Sequence, residues 1–473
     1  MQDFKVAFIS SEIFPYAKTG GLADVSQALP HALFESSVDI CSYTLMYDDA
    51  FSKKSKPIDA LEVSLDGKNY NVDIYLHVDK GGYSTYLFSN QELFVRDKIY
   101  ENRGDNHLRF ALFCKTVVRF ASKNKIDILH LNDWQSALCA YYVKKDNLAL
   151  KTLLTLHNLG YQGVFPAKYM SQMDIDEEEF RIDGFEFYRH INLLKGGINY
   201  ADYLTTVSLS YAKEIMSSEA GQGLEGVMKQ NSYKLEGIPN KIDTDLWNPA
   251  SDEYIFQTYT ETSYTKKKQN KKLLLKELGL SGEKAPLFVM ISRLVPQKGI
   301  EFLKHVVPYI KELEINLVLL GDGESREIDE LSSIFNKCDN LEFINGYSEQ
   351  MSHKLYASAD FLLMPSLEEP CGLNQLIAYR YGVLPLVRET GGLKDSVIDY
   401  SLERKDKGVG VVFKNRDALS FYHALFRCVS LYAKGDKYTR LAKSNMKLDL
   451  SWGDSSVRYI DIYNKLRGKN EWK

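Results

Sequence analysis

The sequence predicts an α/β protein of two halves, each built on a parallel sheet, and three observations carry that prediction. Short β-branched or aliphatic runs at 4–10, 126–130, 152–157, 203–207, 287–292, 317–321, 361–365 and 383–387 alternate with helical stretches. Strands alternating with helices imply parallel sheets. The periodicity stops at Gly237-Ile238-Pro239-Asn240, and a polar stretch at 248–272 follows before a new strand begins at 287. The length, 473 residues, suits two or three domains of roughly 100–200 residues each.

The run at 4–10 feeds a loop, Glu12-Ile-Phe-Pro-Tyr-Ala-Lys18-Thr-Gly20-Gly21, and then Leu22, Val25, Leu29 and Leu33 at spacings of three and four. That spacing is one apolar stripe of a helix lying on the sheet. Asp133-Trp134 follows the run at 126–130, and His157-Asn158 ends the run at 152–157. In the second half Arg293 and Lys298-Gly299 follow the run at 287–292, Gly346-Tyr347 a strand at 341–345, and Glu369 the run at 361–365. Thr390-Gly391-Gly392 follows the run at 383–387 and repeats the Gly-Gly-before-helix pattern of the first half. A last helix after Trp452 carries Val457, Ile460, Ile462, Tyr463 and Leu466 as its expected apolar face. Ligands of open α/β sheets bind beyond the carboxyl ends of the strands. Two halves joined near 240–250 would therefore face a cleft lined by these loops.

Composition narrows the function. With 44% hydrophobic and 26% charged residues and a net charge of −4, the chain is globular and lacks the basic excess that nucleic acid or anionic membranes attract. No apolar run approaches the roughly 20 residues of a membrane span, and nothing at the start reads as a signal or transit peptide. The expected location is the cytoplasm. Six cysteines lie far apart; the spacing gives neither a disulfide framework nor a zinc site, and five are read as buried small apolar residues.

Glycines at a helix start let backbone N–H groups approach an anion, which the helix dipole also favours. Lys18 with Gly20 and Gly21, and Thr390 with Gly391 and Gly392, are on this ground candidate phosphate cradles, a Gly-Gly turn that only redirects the chain being the alternative. Arg293 and Lys298, at a strand end, offer fixed cations of the kind that stabilise a leaving group gaining negative charge, two solvated surface residues being the alternative. Glu369, ahead of a helix beginning near Gly372, is a carboxylate suited to steadying an oxocarbenium-like sugar. Asp133 and His157 at neighbouring strand ends suit sugar hydroxyls or acid–base work. Asp174-Ile-Asp176 and Asp243-Thr-Asp245 offer metal-type carboxylate pairs, but their settings favour surface and capping roles, and no metal is expected. The lysines of 266–268 and 271–272 read as a solvated helix face.

Lys18-Thr-Gly-Gly-Leu-Ala-Asp24, His130-Leu-Asn-Asp133-Trp134, Leu156-His157-Asn158, Arg293-Leu-Val-Pro-Gln-Lys298-Gly299, Glu369-Pro-Cys-Gly-Leu373 and Thr390-Gly-Gly-Leu393 resemble, in this order, the motifs of bacterial glycogen synthases and plant starch synthases. The resemblance implies the glycosyltransferase B fold of two Rossmann-like domains, 1–240 and 241–452, with 453–473 packing back on the first. It implies ADP-glucose as donor, an α-1,4-glucan as acceptor, retention at the anomeric carbon and no cofactor. It places Lys18 on the sugar nucleotide, Arg293 and Lys298 on the diphosphate, Asp133, His157 and Glu369 around the transferred glucose, and Tyr347 on the nucleobase. Glu12, Gly20, Gly21, Asp24, Asn158, Asn240, Cys371, Gly372, Leu373, Thr390, Gly391 and Gly392 complete the expected substrate contacts.

Two positions depart from the pattern. Ile377 stands where some retaining relatives carry a second Glu, and Lys241 replaces the usual Gly between Asn240 and Asp243, where Lys resists backbone geometry that Gly allows. The rival readings are a UDP-sugar transferase or epimerase of the same fold and a non-catalytic glucan-binding protein using its 31 Tyr and 23 Phe. Glycogen is the expected polymer, and donor binding is expected to close the two halves.

Overall fold

The structure is a computed structural model and describes residues 4–48, 51–53, 55–101, 103–402 and 408–468. It divides into two compact units, one formed by Met1–Asn240 with Trp452–Lys473, the other by Lys241–Ser451.

The first unit holds a nine-stranded sheet in the order Leu235–Gly237, Tyr203–Thr206, Lys151–Leu156, Ile128–Asn132, Lys5–Ile9, Asp39–Leu45, Ser84–Ser89, Lys68–Val78, Asp59–Leu65. The first seven are parallel; the last two form an antiparallel hairpin at the edge. Lys5–Ile9 lies between Asp39–Leu45 and Ile128–Asn132, so the chain leaves it in one direction and later returns on its other side. A crevice opens at such a reversal, beyond the carboxyl ends of the two strands. The loop Ser10–Gly20 lies there, as does the start of the helix Asp133–Lys145, which follows directly on Ile128–Asn132.

The second unit holds seven parallel strands in the order Leu341–Asn345, Asn316–Gly321, Leu287–Ile291, Phe361–Met364, Leu384–Arg388, Gly408–Phe413, Val397–Asp399. Both faces are covered, as the alternation shows: Phe288, Met290, Leu317, Leu319, Phe361 and Leu363 enter one core, while Leu287, Val289, Ile291, Val318, Leu320 and Leu362 enter the other. Buried parallel strands read as continuous apolar runs for this reason. The order reverses between Leu287–Ile291 and Phe361–Met364, the strands that precede Arg293 and Glu369.

Two expectations are corrected. The apolar face of the last helix, Gly453–Leu466, is made by Ser455, Ser456, Tyr459, Ile462 and Tyr463, whereas Val457 is 58% exposed. A helix turn of 3.6 residues puts 457 on the opposite side from 455, 459 and 462. The basic run is not uniformly solvated either. In the helix Lys267–Glu277, Lys267 and Lys271 are buried one turn apart. Lys267 Nζ donates to the carbonyls of Tyr356 and Ala357 at 2.9 and 3.0 Å, orphan acceptors at the end of the helix Glu349–Ser358. Lys271 Nζ pairs with Asp360 at 2.6 Å. Only Lys266, Lys268 and Lys272 face solvent.

Of the cysteines, five are buried and Cys338 is half-buried. No helix among the described residues is long and apolar enough to cross a membrane.

Candidate active site

In the first unit the loop after Lys5–Ile9 is organised from within by Glu12. The side chain is buried, 3% exposed. Its Oε2 accepts the N–H of Thr19 at 2.5 Å and of Gly20 at 3.3 Å; its Oε1 accepts the hydroxyls of Thr19 at 2.8 Å and Tyr100 at 2.5 Å. Both carboxylate oxygens thus accept hydrogen bonds from the protein, and Glu12, expected among the substrate contacts, holds the loop together from within. The same bonds correct the cradle: the N–H groups of Thr19 and Gly20 point to an internal carboxylate. The helix Gly21–Glu35 begins one residue later. Lys18 Nζ meets Asp24 on the first turn of that helix at 2.7 Å.

Three strand ends are tied together beside this loop. Asn132 Nδ2 donates to the carbonyl of Ile9 at 2.9 Å, and Asn132 Oδ1 lies 2.9 Å from His157 Nε2. Because the amide oxygen can only accept, Nε2 carries the proton and Nδ1 is the acceptor of the ring. Burial holds His157 down to about 3, so the imidazole is neutral at physiological pH. Asp133 has φ +56°, a left-handed conformation that Asp tolerates better than most residues. The turn brings Oδ1 2.7 Å from the N–H of His157. Burial pushes the Asp133 carboxyl up to about 7, against the backbone N–H groups of His157 and Asn158 that favour its charge. Asn158 Oδ1 accepts the N–H of Gly160 at 2.9 Å. Asn240 is buried, donates its N–H to Val207 O at 3.3 Å, and its Oδ1 has no hydrogen-bond partner among the described residues.

In the second unit Lys298 Nζ reaches both oxygens of Glu369, at 2.9 and 2.7 Å. Ser366 Oγ donates to Glu369 Oε2 at 2.9 Å. Glu369 is 6% exposed, and a buried carboxylate needs such partners to remain charged. The helix that follows begins at Asn374, five residues on; the cation, rather than a helix N-terminus, balances Glu369. Gly299, at φ +74°, sits where an added Cβ would lie 2.2 Å from the Pro365 carbonyl oxygen, so the Lys298 loop and the Glu369 loop touch through bare backbone. Arg293 is exposed at the same edge.

The turn Thr390-Gly391-Gly392 packs against the Glu369 loop from the other side. Gly392 N–H donates to the Glu369 carbonyl at 3.0 Å. A Cβ on Gly391 would fall 2.0 Å from that oxygen, and one on Gly392 2.3 Å from the Cys371 oxygen. Thr390 and Leu373 stand at the N-cap positions of the helices Gly391–Ser396 and Asn374–Arg380 without a side-chain capping bond, Cys371 is buried, and Gly372 is left-handed at φ +74°. Tyr347 is 57% exposed, and its hydroxyl donates to Glu349.

Residues 5–230 match the starch synthase catalytic domain, and residues 273–444 match glycosyl transferases group 1. A glycogen synthase of Geotalea daltonii is 37% identical over 485 residues, covering 98% of this chain and 99% of the relative. One of Thermosipho africanus is 39% identical with the same coverage. The chain belongs to the glycogen synthase family. Among solved structures of similar fold, the catalytic domain of starch synthase IV from Arabidopsis thaliana, bound to ADP and acarbose, has a TM-score of 0.91 and 32% identity, covering 98% of this chain and 99% of that one. Sucrose-phosphate synthase from Thermosynechococcus elongatus, at TM-score 0.65 and 18% identity over 99% of this chain and 100% of that one, shares the fold. The glycosyltransferase B fold of two Rossmann-like domains is thereby shown.

Both departures from the family pattern are absorbed by the fold. Ile377 packs into the core of the second unit. Lys241 is not among the residues in the left-handed region, so its backbone needs no glycine. The Asp-x-Asp pairs are engaged elsewhere: Asp174 and Asp176 pair with Lys115 and Lys145, and Asp243 Oδ1 caps the N–H groups of Asp245 and Leu246.

Three residues went unnamed in the sequence. Tyr100 holds Glu12, Ser366 holds Glu369, and Arg388 donates to the carbonyls of Ser366 and Leu367. Arg388, a lone charge closing the apolar strand Leu384–Arg388, carried a readable signal; Tyr100 and Ser366 had none.

Proposed function

We propose that the chain transfers glucose from ADP-glucose to the non-reducing end of an α-1,4-glucan, with retention at the anomeric carbon, and so extends glycogen. The observation that carries this reading is the bidentate contact of Lys298 with buried Glu369 at the strand-order reversal of the second unit. Lys298 is 22% exposed on its side chain, so its ammonium can meet a diphosphate while still neutralising Glu369. Charge that develops on the departing diphosphate is then stabilised by Lys298, Arg293 and the helix start at Gly391. Glu369 supports the positive charge that develops on the sugar. His157 accepts a hydrogen bond from a sugar hydroxyl at Nδ1, and Asp133 fixes the loop that presents it. The fixed cations make a metal unnecessary, ADP-glucose is a substrate and no cofactor is required. We place the reaction in the cytoplasm.

The test is transfer of labelled glucose to glycogen from ADP-glucose and from UDP-glucose, each with and without excess EDTA. ADP-glucose should be the better donor and EDTA should leave the rate unchanged. Preference for UDP-glucose would overturn the donor assignment, a need for added Mg or Mn would overturn the role given to the cations, and glucan binding without transfer would favour a binding protein.

A further inference from the structure

We propose that Glu349 is a positioning residue for the donor, its carboxylate holding the ring of Tyr347 in the attitude that receives the nucleobase. The inference rests on the reading that Tyr347 stacks on adenine. Tyr347 follows Gly346, at φ +102° and with open space around its Cβ position, and is itself 57% exposed. An exposed aromatic on such a turn samples several rotamers, and binding must select one. The hydroxyl is fixed at its far end: it donates to Glu349 Oε2.

Glu349 stands beside a buried polar cluster that it meets electrostatically, without a hydrogen bond between Oε1 and His353 Nε2. It opens the helix Glu349–Ser358, whose cap Ser348 accepts the N–H of Met351 at 3.2 Å. Its Oε1 lies 3.7 Å from Nε2 of His353, one turn along the helix. His353 is 1% exposed, and its Nδ1 lies 2.8 Å from Asp252 Oδ2, which also accepts the Tyr381 hydroxyl at 2.5 Å. The Trp247 ring stacks on the imidazole at 4.1 Å and 13°, and Tyr254 meets it edge-on at 5.0 Å. Burial works against charge on His353, but Asp252 and Glu349 hold it above its ordinary value. The half-buried carboxylate is attracted to the buried imidazole at one oxygen and accepts the phenol at the other, and that attraction favours the side-chain position in which it meets Tyr347.

Calorimetry with ADP and steady-state kinetics with the donor test the tether in the full chain. Glu349→Ala and Tyr347→Phe, which each remove it, should weaken ADP binding by roughly 2–10-fold. The double variant should be no weaker than either single one, since both delete the same contact. Glu349→Gln, whose amide oxygen still accepts the phenol, should stay near wild type. The losses should appear in KM far more than in kcat. The inference is overturned if Glu349→Ala binds ADP normally while Tyr347→Ala does not, or if the losses of the single variants add. If Tyr347→Ala itself binds ADP normally, the stacking reading falls, and the tether falls with it.

Discussion

The two Gly-Gly turns look alike in sequence and differ in what their glycines are for. At Thr19-Gly20-Gly21 the backbone at Gly20 is extended, and an added Cβ would meet nothing within 4 Å. Its N–H groups are drawn inward by Glu12. At Thr390-Gly391-Gly392 the glycines are demanded by packing, because the Glu369–Cys371 backbone occupies the Cβ positions. The first turn keeps room that the protein itself does not use; the second uses its room to seat the loop that carries Glu369. Identical motifs thus separate into a turn with room at the Gly20 Cβ position and a turn whose two glycines the packing requires.

The largest effect should come from the loop that the second turn supports. Glu369→Gln leaves the backbone oxygens that touch Gly391 and Gly392 in place, so the variant should fold normally. Its turnover should drop by roughly 100–1000-fold, the scale of removing one electrostatic stabiliser. Near-normal turnover in the folded variant would take Glu369 out of the chemistry.

Acid should act on the first unit next. His130 and His157 are held down to about 3 by burial, so each takes up a proton on unfolding between about pH 6.5 and 3. Asp133, raised to about 7, acts in the opposite sense, favouring the fold at low pH and losing that contribution as pH rises from about 4 to 7. Two histidines against one carboxylate leave an uptake of about one proton on unfolding, and stability should fall as pH drops from 6.5 toward 4. A melting temperature that is flat across that interval would contradict the buried neutral histidines.

The smaller effects test the glycines directly. Gly392→Ala must displace the Cys371 carbonyl and should cost about 1–3 kcal/mol, read as a lower denaturant midpoint. Gly20→Ala should stay within about 0.5 kcal/mol of the parent. If Gly20→Ala nevertheless weakens ADP-glucose binding, the room at the first turn belongs to the donor; if it destabilises as much as Gly392→Ala, the contrast between the turns is wrong.

The strands around the candidate site were legible because buried parallel strands are apolar throughout, and Asp133, His157, Arg293 and Glu369 stand at or just after their carboxyl ends; Asp39–Leu45 and Ser84–Ser89, with polar residues among the apolar ones, and the antiparallel hairpin Asp59–Leu65 with Lys68–Val78 went unread. What stayed hidden depends on contacts between residues far apart in sequence. Glu12 reads like any acidic loop residue until Thr19, Gly20 and Tyr100 close around it. Lys267 and Lys271 read as solvent-facing because the sequence does not reveal that helix-end carbonyls and Asp360 wait for them. Val457 misled because an aliphatic residue near Ile460 and Ile462 suggested a stripe, while the helix buries Ser455 and Tyr459 instead.

The helix Gly453–Leu466 has a consequence for how the protein comes into being. His130, sealed in the middle of the first unit, accepts or donates at Nδ1 to the Tyr463 hydroxyl, 333 residues later in the chain. Arg458 joins Glu236 across 222 residues, and Arg467 joins Asp127 across 340. A nascent chain emerging from the ribosome therefore completes the whole of 241–451 before the unit begun at its start receives its last helix. Until then that earlier unit waits with a histidine and an apolar edge uncovered, and the second unit, though later in sequence, has all of its own chain first.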